Sequence, residues 1–239
     1  MTILRKKEHS YGRMLLKVAA ALFAACVVIS GCASAPKADG AKDAAPAGDA
    51  SAAGEQTAAP VAKKALSSGM KLFDGFETAG NWIAVGKNWG DGDTSKAVAQ
   101  SAAWAGEGQS SLELSFNAMV KDKGATCFTE MMDITDFSPY EAIVFDVNNP
   151  TGSPMQVAVA ITTGDGWAWF ESNVFDIPAG ESKDLSVPLY EDTLKAASTN
   201  WEYKTSLLDP DDVRRVAFKF FGPEGLAGSV FLDNIRLSK

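Results

Sequence analysis

Short runs of alternating apolar and polar residues dominate the chain after residue 70. These runs are rich in β-branched and aromatic residues, which predicts β-strands. Segments of Asn, Asp, Gly and Pro separate them, and such segments are typical of turns. The runs are 111–116, 126–132, 142–147, 155–162, 167–175, 214–221 and 229–237. Roughly ten short strands without a long helical period predict an all-β fold, an antiparallel β-sandwich of the jelly-roll type.

Alternate residues of a strand point to opposite faces of the sheet, so the pattern also predicts the core. Three runs carry one wholly apolar set, which we assign to the core: Ile143, Phe145 and Val147; Met155, Val157, Val159 and Ile161; Val216, Phe218 and Phe220. In the run 167–175 we assign Ala168, Phe170 and Val174 to the core. The opposite face of that run then carries Trp167, Trp169, Glu171 and Asn173.

Two tryptophans beside a carboxylate and an amide are unsuited to an apolar interior, because the polar groups would need buried partners. The second faces of neighbouring runs add Gln156, Asp146 and Lys219. Together these residues predict an aromatic shelf in a shallow groove edged by hydrogen-bonding groups, which suits a sugar ring. The alternative is that both tryptophans are buried, beneath a loop or in a second small core.

The first 31 residues are predicted to be a secretory signal peptide. A basic start precedes the apolar run 18–29, which is shorter than the roughly 20 residues that a spanning helix needs. The sequence Ile-Ser-Gly-Cys at 29–32 resembles the bacterial lipobox, which implies cleavage before Cys32 and attachment of lipid to its sulfur. Residues 32–69 are Ala-rich and lack Phe, Trp and Tyr, so we expect a disordered tether ahead of a domain at 70–239.

Composition excludes several kinds of site. Beyond Cys32 there are 17 Lys and Arg residues against 29 Asp and Glu residues, a balance of −12 that argues against nucleic acids and other anionic polymers as ligands. The single histidine, His9, lies in the predicted signal peptide. The domain therefore cannot form a Ser-His-Asp triad or a histidine-ligated metal site. Cys127, with no base beside it, is predicted to be a small buried hydrophobe.

Five segments, in order, resemble the motifs of jelly-roll carbohydrate-binding modules with the galactose-binding-like fold. They are LFDGFE at 72–77 followed by Trp82, GEGQSSLEL at 106–114, FDVNNP at 145–150, IPAG at 177–180 with VPL at 187–189, and GSVFLDNIRL at 228–237. The resemblance implies a structural calcium held by Glu77 and Asp233 near the loop 106–110. The alternative is that these two carboxylates only accept backbone amides. It also implies a ligand face with aromatic platforms, flanked here by Trp201 and Tyr203.

The leading hypothesis is a lipid-anchored cell-envelope protein whose sandwich binds a polysaccharide or cell-surface glycan without catalysis. Ala33 stands where some bacteria place an aspartate for inner-membrane retention, which favours the outer membrane. One alternative is an envelope adhesion or assembly module that binds a protein partner. Another is a glycoside hydrolase, in which Glu130, Asp146 and Glu171 would place two carboxylates across adjacent strands.

Overall fold

The computed structural model describes residues 68–86 and 93–239, and within them thirteen strands form two antiparallel sheets. The strands are β1 Met70–Asp74, β2 Ile83–Ala84, β3 Ser95–Ser101, β4 Ser111–Phe116, β5 Ala125–Thr129, β6 Ala142–Asn149, β7 Met155–Thr163, β8 Ala168–Ser172, β9 Phe175–Ile177, β10 Gly180–Pro188, β11 Leu194–Ala196, β12 Val213–Phe221 and β13 Gly228–Ser238.

Strands distant in sequence are neighbours in both sheets. Sheet 1 has the order β10-β6-β13-β4-β3, with β1 also paired to β13. Sheet 2 has the order β11-β8-β7-β12-β5-β2, with β9 also paired to β7. Every pairing is antiparallel. The predicted all-β fold, an antiparallel β-sandwich of the jelly-roll type, is therefore confirmed.

The core lies between the sheets and uses the predicted alternate positions. All ten residues assigned to it from β6, β7 and β12 are at most 2% exposed. Aromatic rings join the layers: Phe145 of sheet 1 meets Phe218 of sheet 2 with centroids 4.9 Å apart, and Trp82 lies 5.8 Å from Phe218. Cys127 is buried in the same core, and burial raises the pKa of its thiol well above the ordinary value. Its predicted role as a small hydrophobe is confirmed.

The run 167–175 departs from the prediction, because it forms two short strands instead of one. β8 pairs with one end of β7 and β9 with the other, and the break falls at Asn173 and Val174. Only Phe170 of the predicted core set is buried. Ala168 and Val174 are exposed, so their assignment to the core was wrong. The break interrupts the strict alternation on which that assignment depended.

Several predictions concern residues outside the described ranges. The signal peptide at 1–31, the lipidated Cys32 and almost all of the tether at 32–69 lie there. Within residues 68–86 and 93–239, no helix is long and apolar enough to cross a membrane.

Candidate functional site

The outer face of sheet 2 carries the candidate site, and β8 supplies its first two residues. Antiparallel pairing places Trp169 opposite Thr162, and Glu171 opposite Ala160. Since Phe170 between them points into the core, Trp169 and Glu171 point away from it. The prediction that these two side chains share an outward face is confirmed. Trp169 is half-buried, and Glu171 is 7% exposed.

Neighbouring strands bring cationic side chains to the same face. Lys195 of β11 lies directly opposite Glu171. On β12, Arg215 and Lys219 alternate with core residues, so they point outward with Trp169. Sequence reasoning missed Lys195 and Arg215. The two-residue period through Lys219 is the signal that also places Arg215 on the outward face.

Six side chains line a groove of about 480 Å³ on this face: Trp169, Glu171, Lys195, Trp201, Arg215 and Lys219. We call this the outer groove. Four of its residues, Trp169, Glu171, Trp201 and Lys219, are among those predicted from the sequence to form a binding face. A volume of this size falls within the usual range for small-molecule pockets, roughly 300–1,000 Å³.

Glu171 is the electrostatic centre of the outer groove. Its Oε1 lies 2.7 Å from the ammonium group of Lys195, and its Oε2 lies 4.0 Å from that of Lys219. Trp169 donates its indole N–H to Oε2 at 3.4 Å. Burial by itself would lower the pKa of Lys195, but hydrogen bonding to Glu171 and Tyr203 and the charge of Glu171 raise it above its ordinary value. The charged form of Lys195 is therefore stabilised.

Small residues on β7 allow Lys219 to reach Glu171. Lys219 lies on β12, and Glu171 on β8, with β7 between them. β7 contributes Ala158 opposite Lys219 and Ala160 opposite Glu171. Strands are about 4.8 Å apart, so a lysine can cross one strand only if no large side chain stands in its path.

Arg215 is held between aromatic rings at one side of the outer groove. Its guanidinium carbon lies 4.9 Å from the ring centre of Phe128 and 5.2 Å from that of Trp167. Its Nε also donates to Glu130 Oε1 at 2.8 Å. A cation fixed by two rings and a carboxylate keeps a defined position on the sheet.

Trp169 also belongs to a small second core. Its ring packs against a cluster formed by Val85, Phe128, Ala160 and Ala217 on the outer face of sheet 2. The alternative of burial in a second small core therefore holds in part for Trp169, which both lines the groove and packs. Neither this residue nor Trp167 is sealed between the two sheets.

Trp167 does not lie beside Trp169 on a strand, and that prediction was wrong. It ends the turn 164–167, where its N–H donates to the carbonyl of Gly164 at 3.0 Å. Its φ of 53° is left-handed, and the side chain is 46% exposed. Trp167 therefore flanks the outer groove through its contact with Arg215.

Trp201 occupies a second left-handed position. Asn200 and Trp201 have φ angles of 53° and 62°, and the N–H of Glu202 donates to the carbonyl of Thr199. Two successive positive φ values are those of a type I′ turn, in which the second central residue is usually glycine. A bulky residue there is an outlier of the kind that concentrates at functional sites. Trp201 is 53% exposed.

Tyr203 supports the groove from the side. The ammonium group of Lys195 lies 5.1 Å from the centre of its ring. Tyr203 is 41% exposed and does not line the groove itself.

Three predicted site residues lie elsewhere. Asp146 is on β6 of sheet 1, 3% exposed, and bonded to Arg236 at 3.0 Å. Gln156 lies on β7 but away from the outer groove, where its amide donates to Asp176. Asn173 falls in the break after β8. The period-two pattern identifies faces within one strand, but it contains no information on sheet membership, which is why Asp146 was misplaced.

The three candidate hydrolase carboxylates are not brought to adjacent strands. Asp146 is in the other sheet, and Glu130 follows β5, which β12 and β7 separate from the strand of Glu171. Glu130 is paired with Arg215 and Glu171 with Lys195. The geometry expected for paired acids across one glycosidic bond is therefore not formed by these residues.

The predicted calcium ligands both accept backbone amides. Glu77 Oε1 receives the N–H groups of Gln109 and Ser110, at 2.8 and 3.2 Å. Asp233 Oδ2 receives those of Gly106 and Glu107, at 2.7 and 3.0 Å. Burial raises the pKa of Asp233 to about 6, although its amide donors oppose the shift.

Accepting backbone amides is the role that the alternative assigns to these two carboxylates, and it leaves further acceptor sites on each of them. Among the described residues, no three His, Cys, Asp or Glu side chains come together in a way that could hold a metal ion. Calcium binding stays a prediction.

Two antiparallel sheets with a lined groove on one outer face define a domain of the galactose-binding-like class. Residues 75–234 match the protein family described as mannanase, galactose-binding domain-like, and the chain belongs to this family. No curated protein matches the chain.

Three solved structures with a similar fold are structures of carbohydrate-binding modules. The solution structure of CtCBM11 is 18% identical with a TM-score of 0.53, covering 72% of this chain and 98% of that one. A family 11 module from Clostridium thermocellum, in complex with a β-1,3-1,4-mixed-linked tetrasaccharide, is 18% identical with a TM-score of 0.50, covering 71% and 95%. CBM28, described as specific for non-crystalline cellulose, is 15% identical with a TM-score of 0.50, covering 71% and 94%. At these identities the likeness is one of fold.

Proposed function

We propose that this protein binds a polysaccharide without catalysis, in the outer groove of sheet 2. The observation that carries the proposal is the placement of Trp201. This indole is 53% exposed at the edge of the groove, in a left-handed turn position that favours glycine. Folding alone would favour a smaller residue there, so a contact with a ligand accounts for the aromatic side chain.

The chemistry of the outer groove suits a sugar. Exposed indole surfaces stack on the C–H faces of sugar rings, and the ammonium groups of Lys195 and Lys219 can donate to ring substituents. The family description, with its mannanase and galactose-binding domain, points to the same class of ligand. The absence of a paired-acid geometry among Glu130, Asp146 and Glu171 favours binding over hydrolysis.

The direct test is a glycan array followed by affinity electrophoresis on the polysaccharides that score. Trp201→Gly should lower affinity about ten-fold or more, as expected for losing one stacking contact. The variant should keep the thermal stability of the wild type, because glycine suits the turn. Tyr190→Ala is the control: Tyr190 is 41% exposed but does not line the groove. Equal affinity for wild type and Trp201→Gly would contradict the proposal.

The array should be run with and without a chelator. Loss of binding or of thermal stability in the chelator would support the calcium that the family resemblance implies at Glu77 and Asp233. Unchanged binding and unchanged thermal stability in the chelator would contradict a structural calcium.

We also propose that the protein is anchored in the cell envelope by lipid on Cys32, with the outer membrane preferred. The lipobox-like sequence at 29–32 supports this, and several acyl chains would anchor a protein stably. Metabolic labelling with an alkyne-bearing fatty acid tests the proposal: the wild type should be labelled and enter the membrane fraction. Cys32→Ser should be unlabelled. An unlabelled wild type would contradict the proposal.

A further inference from the structure

The outer groove has the opposite charge balance to the protein. The chain as a whole carries a formal charge of −8, with 30 acidic residues against 22 basic ones. The six lining residues comprise three cations and one carboxylate. The overall charge that argued against anionic polymers therefore does not describe the surface on which a ligand would lie.

The lining side chains are donors almost without exception. Lysine, arginine and tryptophan side chains donate hydrogen bonds and do not accept them, so Glu171 is the one acceptor among the six lining side chains. Both oxygens of Glu171 already face partners, Lys195 on one side and Trp169 and Lys219 on the other. A sugar hydroxyl donates as well as accepts, whereas a carboxylate only accepts. A donor-rich groove therefore matches a carboxylate better.

Lys219 is the cation best placed to meet such a group. Its side chain is 32% exposed, against 23% for Lys195 and 18% for Arg215. Its ammonium group is 4.0 Å from Glu171, while that of Lys195 is 2.7 Å away. Lys219 is thus more weakly neutralised than Lys195, and it can turn toward a ligand at little cost to Glu171.

Resting on the proposed function, we infer that the ligand of the outer groove is an acidic polysaccharide, in which a uronate carboxylate binds Lys219 while a sugar ring stacks on Trp201. Nucleic acids fit less well. Their phosphates form a continuous line of charge that needs an extended basic surface. Here the cations are confined to a groove of about 480 Å³ on an acidic protein.

The test uses matched pairs of oligosaccharides in titration calorimetry: each neutral chain beside the chain of the same sugars and linkage oxidised to the uronate at C6. For at least one backbone, the uronate should bind about ten-fold or more tightly, as expected for a hydrogen bond to a charged group. The preference should shrink when salt is raised from about 20 mM to about 500 mM, which shortens the screening length several-fold.

Two lysine variants make the test specific. Lys219→Gln should remove most of the preference for the uronate, because it should lower affinity for the acidic chain much more than affinity for the neutral chain. Lys183→Gln is the matched control, with the same change of charge on β10 of sheet 1, and it should preserve the preference. Circular dichroism and thermal unfolding should show both variants folded.

The outcomes separate the two proposals. If the wild type binds neutral and acidic chains equally well, the inference of an acidic ligand is overturned, while the proposal of polysaccharide binding stands. No binding to either member of any pair would overturn both. If Lys183→Gln lowers the uronate preference as much as Lys219→Gln does, the preference reflects attraction by the overall charge of the protein. That result would overturn the assignment of the uronate to the outer groove. If the wild type binds a single-stranded DNA of matched charge as tightly as the uronate chain, the acidic polysaccharide would likewise be overturned as the ligand.

Discussion

The ammonium group of Lys195 on β11 lies 2.7 Å from Oε1 of Glu171 on β8, and this pair closes one side of the outer groove. The Glu171 side chain is 9% exposed and that of Lys195 is 23% exposed. A partly buried pair of this kind contributes little as a pair, but loss of one partner leaves a buried charge without compensation.

Lys195→Met should therefore lower the free energy of unfolding by about 2–3 kcal/mol, below the range for fully buried pairs because Lys219 can move closer to Glu171. Urea denaturation gives the value. Lys204→Met is the control, because Lys204 and Glu202 form a pair in which both side chains are more than half exposed. Its loss should be less than about 1 kcal/mol. Similar losses for the two variants would show that Glu171 is not buried enough to need Lys195.

The left-handed turn at Trp201 gives a prediction about stability alone. Trp201→Gly should be more stable than Trp201→Ala by about 1 kcal/mol, because alanine retains the steric penalty of positive φ that glycine avoids. Differential scanning calorimetry of the two variants, without ligand, measures the difference. An alanine variant at least as stable as the glycine variant would mean that the turn relaxes out of the left-handed region.

Thr162 carries a buried hydroxyl with no hydrogen-bond partner among the described residues. It lies on β7 opposite both Trp169 and Arg215. Thr162→Val removes the uncompensated hydroxyl at nearly constant shape, so it should raise the free energy of unfolding by about 1 kcal/mol.

The adjacent Thr163 is the matched control, since its hydroxyl donates to the carbonyl of Leu208 at 2.8 Å. Thr163→Val should lower stability by about 1 kcal/mol. If both valine variants lose stability equally in chemical denaturation, Thr162 must have a partner in solution.

The raised pKa of Asp233 predicts that the free energy of unfolding changes with pH in the direction opposite to that expected from most paired carboxylates. Its pKa in the folded protein is raised from 3.8 to about 6 by burial. Between these values the folded state binds more protons than the unfolded state, so this group makes stability fall as pH rises from about 4 to 6. The full effect is at most about 3 kcal/mol.

The measurement compares unfolding free energies of the wild type and Asp233→Asn from about pH 4 to 7, with chelator present so that no bound cation keeps the carboxylate ionised. Asp233→Asn should be less stable at every pH, because it loses an acceptor for backbone amides, and it should lack the downward slope. Identical slopes in the two proteins would show that Asp233 titrates normally.

Gly108 lies against Glu77 in the loop 106–110. It has a φ of 76°, and a Cβ added there would collide with Glu77 Oε1. Gly108→Ala should lower stability by more than about 1 kcal/mol, since both strain and collision contribute.

Gly152 separates these two effects, because it has the same φ of 76° with no atom near an added Cβ. Gly152→Ala should show only the strain, about 1 kcal/mol. Equal losses for the two alanine variants, measured by chemical denaturation, would mean that Glu77 is not held against the loop.

Much of the fold could be predicted from the sequence because strand alternation reports burial directly. The core positions of β6, β7 and β12 followed from it, as did the outward placement of Trp169 and Glu171. Failures occurred where alternation stops. Trp167 falls in a turn with a left-handed backbone, and Val174 falls in the break between β8 and β9.

The site was only partly predictable, because a groove depends on which strands are neighbours. Asp146 and Glu171 look alike in their strands, yet β6 and β8 belong to different sheets. Lys195 is in a three-residue strand too short to show a period. Its role follows from pairing with β8, which the sequence does not encode locally.

Ala158 and Ala160 of β7 keep the outer groove open between β12 and β8. Lys195 and Lys219 converge on one carboxylate from opposite sides, and β7, which the Lys219 side chain crosses, carries only Ala158 and Ala160 at that point. Ala160→Leu would place a larger side chain on β7, between the strand of Lys219 and that of Glu171. Three added carbon atoms in the middle strand would then obstruct the outer groove between β12 and β8.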